Sequence, residues 1–253
     1  MMPAMDWLLP VVAAPFVGSF LGVVVTRFPG FRGMAWGRSR CPSCGHALGA
    51  ADLVPILSWA ARRGRCAHCA AAIGAIYPLV EVAALAIALW TATAMPDPLL
   101  WASCALGWTL LALALIDLRC FVLPDAMTLP LLGAGLVVGY LLDPSRALDH
   151  AVGAAAGFLA FAAVAAAYRR LRGRDGLGLG DAKLLAAAGA WLTWTGLPSV
   201  VLIAAASALA AALFGRAFDG RPLSLGRRVP FGPYLALGLW LVWLYGPLEF
   251  RFE

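Results

Sequence analysis

Long apolar stretches, separated by short polar or basic segments, dominate the pattern of this chain of 253 residues. A helix needs about 20 mostly apolar residues to cross a bilayer, and eight stretches approach that length. They cover about 7–26, 76–95, 98–117, 124–142, 151–168, 181–196, 197–214 and 232–247. The strict alternation of barrel strands is absent. The pattern therefore predicts an all-α polytopic membrane protein with about eight transmembrane helices.

Composition agrees, since 62% of the residues are hydrophobic and only 13% are charged. The segment before the first apolar stretch, MMPAMD, contains an acid and no Lys or Arg. A secretory signal peptide begins with a basic region. We therefore expect residues 1–26 to form a retained first transmembrane helix.

The basic residues predict the orientation in the membrane. With the N-terminus outside and eight spans, 17 of the 19 Lys and Arg residues fall on one side, and only Arg146 and Arg251 fall on the other. The positive-inside rule makes the basic side cytoplasmic. A net charge of +6 also suits a nucleic-acid binder, but such proteins interleave aromatic and basic residues, and these loops mostly do not. We expect membrane lipid and no nucleic acid as a partner.

The longest basic loop, residues 27–75, contains two C-x-x-C pairs. Cys41 and Cys44 form the first pair, Cys66 and Cys69 form the second, and 21 residues separate them. Two such pairs complete a closed site of four thiolates for a structural zinc ion. Disulfides are the alternative, and a cytoplasmic location disfavours them. The loop is thus predicted to be a small, zinc-ribbon-like domain.

Other residues near these pairs bear less on the prediction. His46 and His68 are possible substitute ligands, although four cysteines already fill a tetrahedral shell. The two remaining cysteines, Cys104 and Cys120, are predicted to be apolar packing residues.

Four acids lie near the ends of predicted spans, where a carboxylate is a functional candidate. They are Glu81, Asp117, Asp125 and Asp181. Asp117 and Asp181 both lie at the cytoplasmic end of their spans by this threading. If the fold brings them together, the two share a proton and act as general base and general acid on a peptide carbonyl.

Each acid has a plainer alternative. Asp181 is also a good N-cap for the helix that follows it, and Asp125 after Pro124 is ordinary helix-start chemistry. For Glu81, stabilisation of a helix N-terminus is as good an explanation as a role in chemistry. Lys183 either pairs with an acid of a substrate or extends its charge to the membrane surface.

Eight segments, in this order, carry a resemblance to a known family. They are GSFLGVVVTRFP (18–29), CPSCGHAL, DLVPILSW, GRCAHC, IYPLVE, IDLRCFVLPD, GLGLGDAKLL and VPFGPYLALG. Together they span nearly the whole chain, which resembles the prepilin peptidases, aspartic intramembrane proteases of the G-x-G-D type.

The resemblance implies a function and a set of site residues. The family cleaves the leaders of type IV prepilins and of the pseudopilins of type II secretion after a glycine. It does so at the cytoplasmic face of the bacterial inner membrane, and then N-methylates the new amine with S-adenosylmethionine. By resemblance Asp117 and Asp181 are catalytic, with Asp125, Gly178, Gly180 and Lys183 in support. Glu81 is the methyl-transfer candidate, and the four cysteines match the family's cluster.

The same reading divides the chain into a first helix (1–26), a zinc-binding domain tied to methylation (27–75) and a membrane bundle with the peptidase site (76–253). Two positions depart from the family. Gly22 replaces a common Asn, and Ile76 replaces a common arginine. Both lie in the methylation half, so a peptidase without methyl transfer is one alternative. A proton-coupled transporter and a non-catalytic zinc-bearing assembly factor are the others.

Overall fold

The computed structural model describes residues 7–30, 39–95, 97–173, 178–219 and 229–248. Within these ranges the chain is helical, with two isolated β-bridges and no strand. The α-helices are α1 (Leu8–Arg27), α2 (Leu57–Ala61), α3 (Ile76–Ala94), α4 (Asp97–Cys120), α5 (Asp125–Leu142), α6 (Ala147–Arg172), α7 (Leu179–Asp219) and α8 (Gly232–Tyr245).

Six of the described helices, α1 and α3 to α7, are long and apolar enough to cross a membrane. The seventh apolar helix, α8, has 14 residues. At 1.5 Å per residue it is roughly 21 Å long, shorter than the ~30 Å hydrocarbon core. The chain is therefore an all-helical membrane protein, as its apolar pattern predicts.

The two spans predicted at 181–196 and 197–214 belong to one element, α7, which has 41 residues. At roughly 60 Å, a straight helix of this length is about twice as long as the hydrocarbon core is thick. Thr193, which has φ 64° and ψ −179°, interrupts its helical backbone. α7 therefore consists of two helical segments joined across a kink at Thr193, a few residues before the predicted boundary between the two spans.

The chain divides into two compact units, Met1–Trp108 and Thr109–Glu253. In the first unit, α1 packs on α3. The helices are so close that a Cβ atom at Gly18 would lie 2.6 Å from the Cα of Glu81. The indole N–H of Trp108 donates to the carbonyl oxygen of Ala84 at 3.0 Å. The functional division predicted at residues 26 and 75 stays a prediction.

In the second unit, α7 packs on α5, α6 and α8. The closest approach joins α6 and α7 at Gly153 and Gly189, where a Cβ on Gly189 would lie 2.1 Å from the carbonyl oxygen of Gly153. Near the break, His150 Nδ1 lies 2.8 Å from the carbonyl oxygen of Ala190. Small residues thus let the backbones meet directly, as is common between membrane helices.

Helix ends follow local chemistry. α6 ends at Gly173, whose left-handed conformation (φ 66°) closes the helix with a hydrogen bond to the carbonyl of Arg169. Three arginines lie in the last turn, where a cation is favoured by the helix dipole. Several residues of the predicted loops and termini, including Arg227, Arg228 and residues 1–6, lie outside the described residues.

Candidate functional site

Asp117 lies in the last turn of α4 and is 5% exposed. Its Oδ2 atom accepts a hydrogen bond from the backbone N–H of Gly232 at 3.0 Å. Gly232 is the first residue of α8, so this N–H has no partner within its own helix. The N-terminus of α8 therefore holds the carboxylate in place and supplies partial positive charge beside it.

The identity of Gly232 is required by this contact. A Cβ at this position would lie 2.7 Å from Oδ2 of Asp117 and 3.1 Å from Cδ2 of Leu123. Leu123 is buried and lies equally close to Gly180, where a Cβ would be 3.0 Å from the Cβ of Leu123. One leucine side chain thus packs against the beginning of both α7 and α8.

Asp181 is the third residue of α7, one position after Gly180. Its backbone N–H donates to the carbonyl of Gly178 at 3.2 Å, and a backbone hydrogen bond from Gly178 reaches its carboxylate. Asp181 therefore lies inside the first helical turn and is not the residue that precedes the helix. Leu123 packs against Gly180, which precedes Asp181, and against Gly232, whose N–H binds Asp117, so the two acids lie beside a shared neighbour.

Asp125 and Lys183 form an ion pair that the sequence did not indicate. The Nζ atom of Lys183 lies 2.6 Å from Oδ1 and 2.7 Å from Oδ2 of Asp125. Asp125 begins α5, and Lys183 lies two positions after Asp181 in α7. The pair therefore ties the start of α5 to the turn of α7 that carries Asp181. The sequence suggested that Lys183 pairs with an acid of a substrate or extends to the membrane surface, and this contact is neither.

The glycines before Asp181 have different surroundings. Gly180 is half-buried against Leu123, whereas Gly178 is exposed and a Cβ there would lie 3.4 Å from Oδ2 of Asp181. Close packing requires glycine at Gly180. At Gly178 the small residue leaves the carboxylate of Asp181 accessible.

The four cysteines of the loop converge. Their Sγ atoms all lie within 4.8 Å of one another, and the Sγ atoms of Cys41 and Cys69 are 3.8 Å apart. Sulfurs bound at about 2.3 Å to one tetrahedral zinc ion are roughly 3.8 Å apart, whereas disulfide sulfurs are about 2.05 Å apart. All four are free thiols. The cluster can bind a metal ion, and the disulfide alternative is excluded here.

The two halves of the cluster have the same backbone. Cys41 N–H donates to His46 and Cys66 N–H donates to Ala71, both at 2.9 Å. The residue after each pair, Gly45 or Ala70, has a positive φ, 69° and 57° respectively. The small residues noted in the sequence therefore occupy the left-handed position of each knuckle.

The histidines beside the cysteines stack on each other, with ring centroids 4.4 Å apart. The backbone N–H groups of Cys44 and Ser43 lower the pKa of the Cys41 thiol to about 6. The N–H of Ala71 lowers the pKa of Cys69, but Cys44, burial and the other thiols outweigh it and raise that pKa to about 12. Four thiols this close ionise together when a cation neutralises them.

Glu81 is 6% exposed and lies in the second turn of α3, so it does not stabilise the first turn as the plainer alternative required. Its Oε2 atom accepts the backbone N–H of Ile56 at 2.6 Å. Ile56 has φ 60°, an uncommon conformation for a β-branched residue. Glu81 lines a cavity of ≈ 140 Å³ beneath the cysteine loop.

The two departures from the family pattern adjoin Tyr77, which lines the cavity, Gly22 in space and Ile76 in sequence. Gly22 faces the ring of Tyr77, where a Cβ would come within 3.2 Å of Cδ1. Ile76 is the first residue of α3. A larger residue at Gly22 would require the ring of Tyr77, which lines the cavity, to move.

Sequence reasoning missed the residues that act through their backbone. Gly232 and Ile56 each donate an N–H to an acid, and nothing in a side-chain pattern marks such a donor. A signal for Gly232 was present in the segment VPFGPY, where a proline follows the glycine in the first turn of α8.

Comparisons with known proteins agree along the chain. The bacterial peptidase A24 N-terminal domain matches residues 12–95, and the type IV leader peptidase family matches residues 104–214. Three similar proteins are each named prepilin leader peptidase/N-methyltransferase. The one from Burkholderia pseudomallei (strain 1026b) is 41% identical, covering 90% of this chain and 82% of its own. The others are from Aeromonas hydrophila (40%; 91% and 87%) and Pseudomonas putida (37%; 97% and 93%). No solved structure matches the chain.

Proposed function

The chain belongs to the type IV leader peptidase family, and on that premise we propose that Asp117 and Asp181 are the carboxylates with which it cleaves prepilins. The protein is an enzyme of the inner membrane that removes the prepilin leader and methylates the new N-terminus. One observation carries the proposal. Two acids 64 positions apart share one neighbouring side chain, because Leu123 packs on Gly180 before Asp181 and on Gly232, which binds Asp117.

The dyad hydrolyses the peptide bond by general acid–base catalysis. One carboxylate, ionised, takes a proton from water as the water oxygen bonds to the carbonyl carbon. The other, protonated, donates its proton to the carbonyl oxygen. Return of a proton to the amide nitrogen breaks the C–N bond and releases the mature amine. By resemblance, the scissile bond follows a glycine in a prepilin or pseudopilin.

The neighbours of the dyad fit supporting roles. Gly232 fixes one oxygen of Asp117, Gly180 lets α7 approach Leu123, and Gly178 leaves Asp181 accessible. Asp125 and Lys183 hold the turn of α7 that bears Asp181. Placement of both acids beside helix N-termini suits groups that carry negative charge during a reaction cycle. The transporter and assembly-factor alternatives are not favoured, because the family is a peptidase family.

The cysteine cluster is assigned a structural zinc ion. Four thiolates leave no open position, which is typical of structural and not catalytic zinc. Such an ion would hold the small loop domain in shape.

Methyl transfer requires S-adenosylmethionine, which supplies the methyl group when bound, and Glu81 is the acid we assign to that reaction. The basic loops, the zinc domain and the dyad are assigned to the cytoplasmic side.

Asparagine substitutions test the dyad. Asp117→Asn keeps an oxygen that can accept the Gly232 N–H, so the fold should survive while proton transfer is lost. Asp181→Asn likewise replaces the second carboxylate with an amide of nearly the same shape. We expect each to lower the rate of prepilin cleavage by about 10²–10⁴-fold, followed by mass spectrometry of a purified prepilin.

The matched control is Asp149→Asn, the same change at an exposed acid that pairs with Arg146 in the first turn of α6. This control should cleave at the wild-type rate. A folded Asp117→Asn or Asp181→Asn protein that also keeps the wild-type rate contradicts the assignment.

A further inference from the structure

The first unit contains a cavity of ≈ 140 Å³, about ten times the space that one water molecule needs. Its walls come from the end of α1, the start of α3 and the cysteine loop. Four arginines and two acids line it together with two aromatic rings. Charges of both signs suit a zwitterionic ligand, whereas a polyanion would meet the acids and a simple cation would meet the arginines.

Asp52 is a firmly positioned acid in the lining of this cavity. Its Oδ2 accepts the N–H of Gly49 at 2.9 Å. Its buried Oδ1 forms an ion pair with Arg62, whose Nη1 lies 2.5 Å away. Each carboxylate oxygen has more than one lone pair, so Asp52 can also accept a hydrogen bond from a hydroxyl or ammonium group of a ligand.

Glu81 is the second acid of the cavity. The hydrogen bond from Ile56 engages Oε2, and the carboxylate has a second oxygen with which to accept. Ile56 has a positive φ of 60°, a strained conformation for a β-branched residue, and such strain is concentrated at ligand sites. The hydrogen bond to Glu81 therefore holds Ile56 in a backbone conformation that isoleucine does not favour by itself.

The aromatic residues supply flat apolar surface. Trp59 is oriented by its indole N–H, which donates to the carbonyl of Ile73 at 3.2 Å. The hydroxyl of Tyr77 lies 3.3 Å from Oγ1 of Thr26. Aromatic faces stack with purine bases and attract ligand cations. Arg27, at the end of α1, also lines the cavity and can pair with a carboxylate.

We propose that this cavity is the binding site for S-adenosylmethionine, an inference that rests on the methyltransferase part of the proposed function. The ligand has a purine, a ribose diol, a sulfonium cation and an amino acid zwitterion. Trp59 and Tyr77 take the flat and cationic parts, Asp52 and Glu81 take hydroxyl and ammonium donors, and Arg27 takes the carboxylate. Each chemical feature of the ligand has a partner in the cavity.

Direct binding tests the site without reliance on turnover. S-adenosylhomocysteine is titrated calorimetrically into the full-length, detergent-solubilised protein, with zinc content measured for every sample. We expect Asp52→Asn and Glu81→Gln each to weaken binding about tenfold or more. Asp149→Asn, the same change in an exposed Arg–Asp pair, should bind like wild type. Unchanged zinc content and an unchanged midpoint of thermal unfolding show that a variant is folded. If Glu81→Gln does not fold, a folded Asp52→Asn still tests the site.

The outcomes separate the site from the activity. Weaker binding by folded variants supports the cavity. Tight binding by wild type and equally tight binding by both variants overturns it and leaves methyl transfer intact. A wild-type protein that neither binds the nucleoside nor methylates a cleaved pilin contradicts the methyltransferase assignment itself.

Discussion

Asp117 is held by a backbone N–H that the chain supplies 115 residues later. At its own helix end the α4 dipole disfavours a carboxylate, and the start of α8 supplies the compensating partial charge. The orientation of this acid therefore depends on the second unit being folded, and an isolated α4 could not provide it.

The ion pair of Asp125 and Lys183 belongs to the same residue scale. We predict that Lys183→Met lowers the kcat of cleavage several-fold with little change in KM, because the turn carrying Asp181 loses a tether. Partly exposed pairs are worth about 1 kcal/mol or less, which sets this modest size. Steady-state kinetics on a purified prepilin measures both constants.

The exchanged pair Asp125→Lys with Lys183→Asp is the matched test, and it should recover much of the lost kcat. If Lys183 instead contacts an acid of the substrate, Lys183→Met raises KM and the exchange gives no recovery. That result would contradict the positioning role.

Residue chemistry explains how far the sequence could predict this site. Carboxylates at helix ends are rare and costly in a membrane protein, so Asp117 and Asp181 stood out among thirteen acids. Their meeting could not be derived from spacing, because only tertiary packing joins α4 to α7. The role of Gly232 could not be predicted from the sequence, since it contributes a backbone N–H and the absence of a Cβ.

At the scale of elements, hydropathy and length located the apolar helices and placed the division of α7 within a few residues of Thr193, but not the backbone change there. The apolar character continues through Thr193, whose backbone alone departs from the helix. A hydropathy pattern measures transfer to lipid and carries no information on φ and ψ. Length favoured two spans with a boundary at residue 196, and the structure has two helical segments that meet at the kink at Thr193.

The α6–α7 contact gives a prediction at this scale. Gly189→Ala places a methyl group on the backbone of Gly153, which cannot move as a side chain would. We expect a loss of about 1–3 kcal/mol in stability and a lower midpoint of thermal unfolding in detergent. Gly133→Ala, within α5 and with open space around its Cβ, is the control. Equal midpoints for the two variants would show that α6 and α7 do not meet at Gly189.

At the scale of the whole molecule, the two compact units match two family domains. The N-terminal domain match covers 12–95 and the peptidase match covers 104–214, and the unit boundary follows Trp108. The cysteine cluster and cavity lie in the first unit, and both aspartates lie in the second. The proposed methylation site and the proposed peptidase dyad thus belong to different units of one chain.

Orientation in the membrane is the last property of the whole chain, and it rests on charge. Because 17 of 19 basic residues fall on one side of the predicted threading, that side should remain in the cytoplasm.

Ser145, exposed in the turn between α5 and α6, should then face outward. Leu171, 83% exposed at the basic end of α6, should face inward. Labelling with a membrane-impermeant maleimide should mark Ser145→Cys in intact spheroplasts. Leu171→Cys should react only after permeabilisation, in excess of any labelling of the wild-type protein. The reverse pattern would place the dyad and the cysteine cluster outside the cytoplasm, where neither the methyl donor nor reduced thiols are maintained.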